Sequence, residues 1–446
     1  MPIVIPATTI PAPRTHLPST PVAVPTRIKP HPLTGKQALV VGINYAPEPT
    51  GTAPYTTAMA EHLAEDAAGV TVLTGVPHYP SWSVGPAHKW AIRSSEVVPL
   101  GNGKRLTVRR SRHYVPSRQS AITRAAYEAS FLANALTTRL DAKPDLVVAV
   151  SPSLSGAVVG ARLARRYGSK LLVVVQELTA MAATQTGIRG GDQVARITGA
   201  IERYALSRAD RVAIVSEAFR SQLHRFGVPD EKISLLPNWT HISPKRQTQA
   251  EARRELGWPV KPFTVVHTGN IGLKQDLRNL VEVARISTAV PDLRFVIIGD
   301  GNQRADVEAR AAGLTNLTFV DPLDGDQYPQ SLAAADLLVI NERPGVGAMS
   351  LPSKLTSYLP AGRPVIAAVA DDGATAQELK RTKGAALIVP PGDPVAFLEA
   401  ILDLRADPTH RARMSDLGQT YAETTLGRRP AAARLDALIN ACLEPA

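Results

Sequence analysis

The chain has 446 residues, more than one hydrophobic core supports, so two domains are expected. Its apolar and charged fractions, 44% and 20%, are those of a globular protein, and a single cysteine, Cys442, excludes an intramolecular disulfide framework or a cysteine metal cluster. The net charge of +11 sits on one side: residues 1–240 carry 27 Lys and Arg against 15 Asp and Glu, residues 241–446 carry 23 against 24.

Residues 1–34 read as a proline-rich arm, extended or disordered, without the order of a signal peptide. Alternation of β-branched apolar runs and helical periods then begins. Strands are expected at 37–43, 70–73, 146–150, 171–175, 211–215 and 233–235. Helices are expected from Pro54 to about Asp66, and near 120–140, 154–167, 194–206 and 217–226. This first domain spans 35–240. The polar stretch 241–261 reads as an interdomain link. A second domain, 262–425, repeats the alternation with strands near 263–267, 294–298, 317–320, 336–340, 364–367 and 386–389, and a last helix covers 426–446, placed to cross back to the first domain. Strict alternation implies an α/β class with two doubly wound, Rossmann-like domains facing across a cleft, where the loops after the strands converge.

The stretch Phe263–Ile286 carries the clearest chemistry. An apolar strand runs into Thr268-Gly269-Asn270-Ile271-Gly272, then Lys274, then apolar residues at helical spacing. Glycines admit a ligand to the backbone, helix-start N–H groups face an anion, and an ammonium adds charge, so a diphosphate fits here; an ordinary turn with a solvated lysine fits as well. Residues 104–124 hold seven basic side chains and no acidic one. With Ile122, Tyr127 and Phe131 nearby, they read as a patch for an anionic membrane surface, or as a solvated face; scarce aromatics and the lack of a motif argue against nucleic acid. No apolar run reaches the ~18 residues of a membrane span. A cytoplasmic chain, peripheral on the inner face of the plasma membrane, is the expectation. His113, His224 and His267 show no metal spacing, and Asp371-Asp372 reads as a helix cap.

Taken together, Gly269-Asn270-Ile271-Gly272-Leu273-Lys274-Gln275, Ile298-Gly299-Asp300-Gly301, Pro352-Ser353-Lys354-Leu355 and Ala361-Gly362-Arg363-Pro364-Val365 resemble the donor domain of GT-B glycosyltransferases of family 4, in the bacterial exopolysaccharide and colanic-acid-type branch. Tyr45-Ala46-Pro47-Glu48-Pro49-Thr50-Gly51-Thr52 and Leu236-Pro237-Asn238-Trp239 resemble the opening and end of that branch's N-terminal domain. The resemblance implies a retaining transferase that moves a sugar from a nucleoside-diphosphate sugar to a lipid-linked or polysaccharide acceptor. Lys274 and Glu177 would be catalytic. Gly51, Thr52, Gly269, Asn270, Gly299, Pro322, Leu323, Ser350, Ser353 and Lys354 would bind the donor, and His78 and Tyr79 the acceptor. No metal and no cofactor beyond the sugar nucleotide itself is implied. The family's pair of glutamates, separated by seven residues, falls on Met349 and Ser357, neither acidic, with Glu342 too early to substitute. A sugar-nucleotide epimerase of this fold, or a catalytically weakened binding partner, are the alternatives.

Overall fold

The computed structural model describes residues 31–444, apart from 50, 80, 102, 118–119, 179–190, 243–246, 324 and 346–352, and apart from the side chains of 121 and 191–195. Most of the arm thus lies outside the described residues. Two sheets form. The first runs β3-β4-β2-β1-β5-β6-β7-β8, with β1 Gln37–Val41, β2 Gly69–Gly75, β3 Arg93–Pro99, β4 Arg105–Ser111, β5 Leu146–Ser151, β6 Lys170–Val175, β7 Arg211–Ile214 and β8 Ile233–Leu235. The second runs β11-β10-β9-β12-β13-β14, with β9 Phe263–Thr268, β10 Leu293–Ile298, β11 Leu317–Val320, β12 Leu337–Asn341, β13 Val365–Ala368 and β14 Ala386–Val389. Every pairing is parallel except β3 with β4. Strands buried on both faces read as continuous apolar runs, which is why β5, LVVAVS, is buried throughout.

Two features depart from the expectations. The basic stretch 104–124 is not one patch: its first part is β4, inside the first sheet. Arg110 is buried against Glu96 at 2.8 Å, Arg109 pairs with Asp141, Arg112 donates to the Lys89 carbonyl, and Arg124 pairs with Glu128 at 3.2 Å. Tyr127 and Phe131 belong to the core, whereas Ile122 is exposed. Alternation along a strand turns every second cation inward, and only partners there make that tolerable.

The stretch 241–261 is also more than a link. Gln249–Glu255 is a helix with a Thr248–Glu251 capping box, and its Arg253 reaches Asp336 at 2.5 Å and the Ala334 carbonyl at 2.9 Å. The last helix, Arg428–Leu443, buries Leu435, Leu438, Ile439 and Cys442 in the same core as Val40, Val72, Val148 and Val174 of the first sheet. His62 and Asp436 tie it there at 2.7 Å. The chain thus passes between the halves twice, and the passages touch: Thr240 N–H donates to the Leu426 carbonyl at 2.8 Å.

Candidate active site

The turn after β9 is built against the turn after β10. Gly269 N–H donates to the Ile298 carbonyl at 2.8 Å and Ile271 N–H to the Asp300 carbonyl at 2.9 Å. A Cβ on Gly299 would stand 1.9 Å from the Gly269 carbonyl oxygen, and one on Gly301 2.4 Å from that of Ile271. Glycine is therefore required at Gly299 by contact with backbone, and its φ of +144° adds to the requirement. Asn270 is exposed on this turn, its amide donating to Gln275 Oε1 at 3.2 Å.

The helix beyond starts at Arg278 rather than at Lys274. Lys274 sits in the preceding turn, which bends at Asp276, φ +42°. The end of β12 braces that turn. Asn341 Nδ2 donates to the carbonyls of Gln275 and Asp276 at 2.7 and 3.1 Å, Asn279 Nδ2 donates to Asn341 Oδ1 at 2.9 Å, and Arg343 N–H donates to the Lys274 carbonyl at 2.8 Å. Lys274 Nζ reaches across to the first half and lies 3.0 Å from Glu177 Oε1, beyond the end of β6. Both side chains are about one-third exposed, at 36% and 31%, so the pair borders open space.

A second lysine lies beneath the Gly269 turn. Lys354 Cε would be 3.0 Å from a Cβ at Gly269. His267, fully buried in β9, holds its Nδ1–H against the Val339 carbonyl at 3.1 Å, so Nε2 is left to accept from Lys354 Nζ at 3.0 Å. Burial pushes His267 well below the usual histidine range, and the neighbouring ammonium adds to this. Burial also lowers Lys354 to about 7, with Glu342 opposing. Glu342 is itself raised by burial, and Thr375 Oγ1 donates to it at 2.6 Å.

Around these lie the other predicted donor residues. Pro322 is exposed after β11 and Leu323 half-buried. Ser353 is exposed and precedes a four-residue helix, Leu355–Tyr358; Ser350 falls outside the described residues. Ser357 is buried in a hydroxyl chain: it donates to the Lys354 carbonyl at 3.0 Å, lies 3.0 Å from Tyr328 Oη, and Tyr328 reaches Thr268 Oγ1 at 3.3 Å.

In the first half, Gly51, φ +70°, is exposed, and Thr52 is the N-cap residue of the helix Ala53–Asp66. A Cβ on Gly51 would meet the Tyr79 ring at 3.3 Å. The His78 ring is not offered to the cleft; its residue is 3% exposed. It contacts the Val76 carbonyl at 2.9 Å and the Tyr127 hydroxyl at 3.1 Å, with the His113 ring 4.8 Å away. Glu48 Oε1 accepts the backbone N–H groups of His78 and Tyr79 at 2.8 and 2.9 Å. His78 thus anchors the loop, and Tyr79, half-buried over Gly51, is the part of it turned towards that glycine.

Residues 50–239 match the family described as glycosyl transferase 4-like domain, and residues 262–407 match glycosyl transferases group 1. The putative colanic acid biosynthesis glycosyl transferase WcaI of Escherichia coli is 31% identical over 404 residues, covering 87% of this chain and 96% of its own. The chain belongs to this glycosyltransferase family. The transferase shares its fold with sucrose-phosphate synthase of Thermosynechococcus elongatus, at a TM-score of 0.67 and 20% identity, over 91% of this chain and 98% of that one. The Anabaena protein HepE, crystallised with UDP and glucose, is similar at a TM-score of 0.62 and 15% identity, over 90% and 98%.

In the transferase, then, Lys274, Gly269, Asn270, Gly299 and Lys354 gather at one end of the second sheet, with Glu177 brought to them from the first. Sequence reasoning missed the roles of His267, Asn341 and Asn279, the histidine having been weighed only for metal spacing. The first reads as one more position in an apolar strand; the asparagines carry a signal only in retrospect, as polar residues interrupting buried periods. No helix among the described residues is long and apolar enough to cross a membrane.

Proposed function

We propose that this transferase is a retaining enzyme that takes a nucleoside-diphosphate sugar and delivers the sugar to a hydroxyl of a lipid-linked or polysaccharide acceptor in cell-envelope or exopolysaccharide biosynthesis. The observation that carries the reading is the pairing of Lys274 with Glu177 across the two halves, beside the Gly269 and Gly299 turns. The part of WcaI in colanic acid biosynthesis and the UDP and glucose held by HepE support the donor and the pathway class.

In this reading the diphosphate lies over the Gly269 turn, where backbone can approach it. Lys274 leaves Glu177 and turns to the phosphate, and Lys354 faces it from below. As the anomeric C–O bond breaks, negative charge grows on the departing diphosphate; two ammonium groups placed beforehand stabilise it without reorganising. The acceptor oxygen bonds to the anomeric carbon on the same face, and its proton passes to the leaving diphosphate. Glu177, freed from Lys274, faces the sugar. No cofactor other than the sugar nucleotide enters.

The test is donor hydrolysis and transfer across a panel of UDP-, GDP- and ADP-sugars, comparing wild type with Lys274→Ala. Turnover with one donor, lost in the variant, is expected. Interconversion of free sugar nucleotides without transfer would point to an epimerase and overturn the reading; binding without any turnover would overturn it in favour of a binding partner.

A further inference from the structure

Between residues 67 and 127 there are nine Lys and Arg and one acidic residue, Glu96, while Asp141 and Glu128 from beyond the segment pair with Arg109 and Arg124. Glu96 is engaged by Arg110. The same segment exposes large apolar side chains: Trp90 at 81%, Ile92 at 66% and Ile122 at 82%. Ile122 opens a helix, Ala121–Leu136, whose outer positions Ala125, Ala126, Ala129 and Ala133 are also exposed and apolar. A surface helix normally turns polar residues outward; this one turns Tyr127 and Phe131 into the core and leaves an apolar stripe outside. Hydrogen bonds hold the pieces side by side. Arg112 N–H donates to the Ile92 carbonyl at 2.9 Å, Asn134 Nδ2 donates to the Arg112 carbonyl at 2.6 Å, and Tyr114 N–H donates to Ser130 Oγ at 2.8 Å. Lys89, exposed, keeps its ammonium 5.6 Å from the Trp90 ring.

We propose that Trp90, Ile92 and the outer stripe of the helix Ala121–Leu136 form a docking face for an anionic lipid bilayer, with Lys89, Arg93 and Arg124 at its rim. The occupant follows from complementarity: apolar side chains enter the head-group region while cations beside them meet lipid phosphates. Indole is the side chain best suited to that boundary. The inference rests on the proposed function only in that a lipid-linked acceptor would present itself at such a surface; docking itself requires no turnover.

Full-length protein is sedimented with vesicles of equal parts phosphatidylglycerol and phosphatidylcholine, and with vesicles of phosphatidylcholine alone, at low and high salt. Binding to the first at low salt is expected, fading with salt. Trp90→Ser with Ile122→Ser should weaken it about tenfold, with donor hydrolysis unchanged. The emission of Trp90 should shift blue on binding. Equal binding by the double variant, equal binding to neutral vesicles, or no binding by wild type would overturn the proposal. So would a wild-type dimer split by the same substitutions, which would assign the face to a second copy. Hydrolysis of donor by a protein that ignores vesicles would leave the proposed function standing and sink only the docking face.

Discussion

Lys274 and Glu177, 97 residues apart in the chain and in different halves of the molecule, hold each other at 3.0 Å. A partly exposed pair of this kind contributes under ~1 kcal/mol to stability, so its position says more than its strength. The carboxylate occupies the ammonium that a diphosphate would need. On the proposed function, donor and Glu177 would compete for one cation.

That competition is measurable. Glu177→Gln should bind plain nucleoside diphosphate more tightly, by up to about fivefold for the ~1 kcal/mol released, while sugar transfer falls. Lys274→Ala should weaken the same ligand by roughly 1.5–3 kcal/mol, the worth of a charge-assisted hydrogen bond, and leave thermal stability nearly unchanged. Calorimetric titration gives both. Weaker binding by the glutamine variant would refute the competition.

Lys354 should make donor binding proton-linked. Without ligand its ammonium titrates near 7 because of burial. A diphosphate over the Gly269 turn favours the charged form, raising that value in the complex. Binding then takes up a proton, and affinity falls as pH rises through 7, by at most about tenfold per unit. Lys354→Gln should bind less tightly at pH 6 and show a flatter profile. Identical heats in buffers of different ionisation enthalpy would show that no proton is taken up.

Gly299→Ala tests the interlocked turns. The added carbon would stand 1.9 Å from a backbone oxygen that no side-chain rotation can move. Both turns must shift, at a cost near the upper end for a single substitution, about 3 kcal/mol. A melting temperature and nucleotide affinity equal to wild type would mean the turns are looser than described.

His113 sets an acid limit on stability. Burial, with help from His78, lowers it to about 3, and its Nε2 has no hydrogen-bond partner. The unfolded chain takes up a proton near 6.5 that the folded chain refuses, so stability declines as pH falls from there towards 3, by up to ~1.4 kcal/mol per unit. His113→Phe should flatten that decline in urea melts between pH 6 and 4. An unchanged slope would place the acid sensitivity elsewhere.

Much of the architecture was readable in the chain because strands buried on both faces leave unbroken β-branched runs: Leu146–Ser151 and Leu317–Val320 were expected almost to the residue. β3 and β4 were not, since RSSEVVP and RLTVRRS carry the charges of an edge hairpin and read as surface. The helix expected at Lys274 begins four residues later because Asn341 holds the intervening carbonyls, a contact 66 residues long in sequence. The pairing of His267 with Lys354 was not legible for the same reason: the two are 87 residues apart. Local pattern identifies elements; a site assembled from strand ends is a property of the topology.

The bonded passages at Thr240 and Leu426 have a mechanical consequence. A two-domain protein joined by one strand of chain can swing, slide and twist. Here two covalent tethers leave side by side, and the second ends in a helix sunk into the opposite core. Pulling the halves apart would stretch both tethers at once, whereas rotation about their common point stretches neither. An opening that parted Lys274 from Glu177 would therefore pivot about that shared point instead of drawing the halves apart.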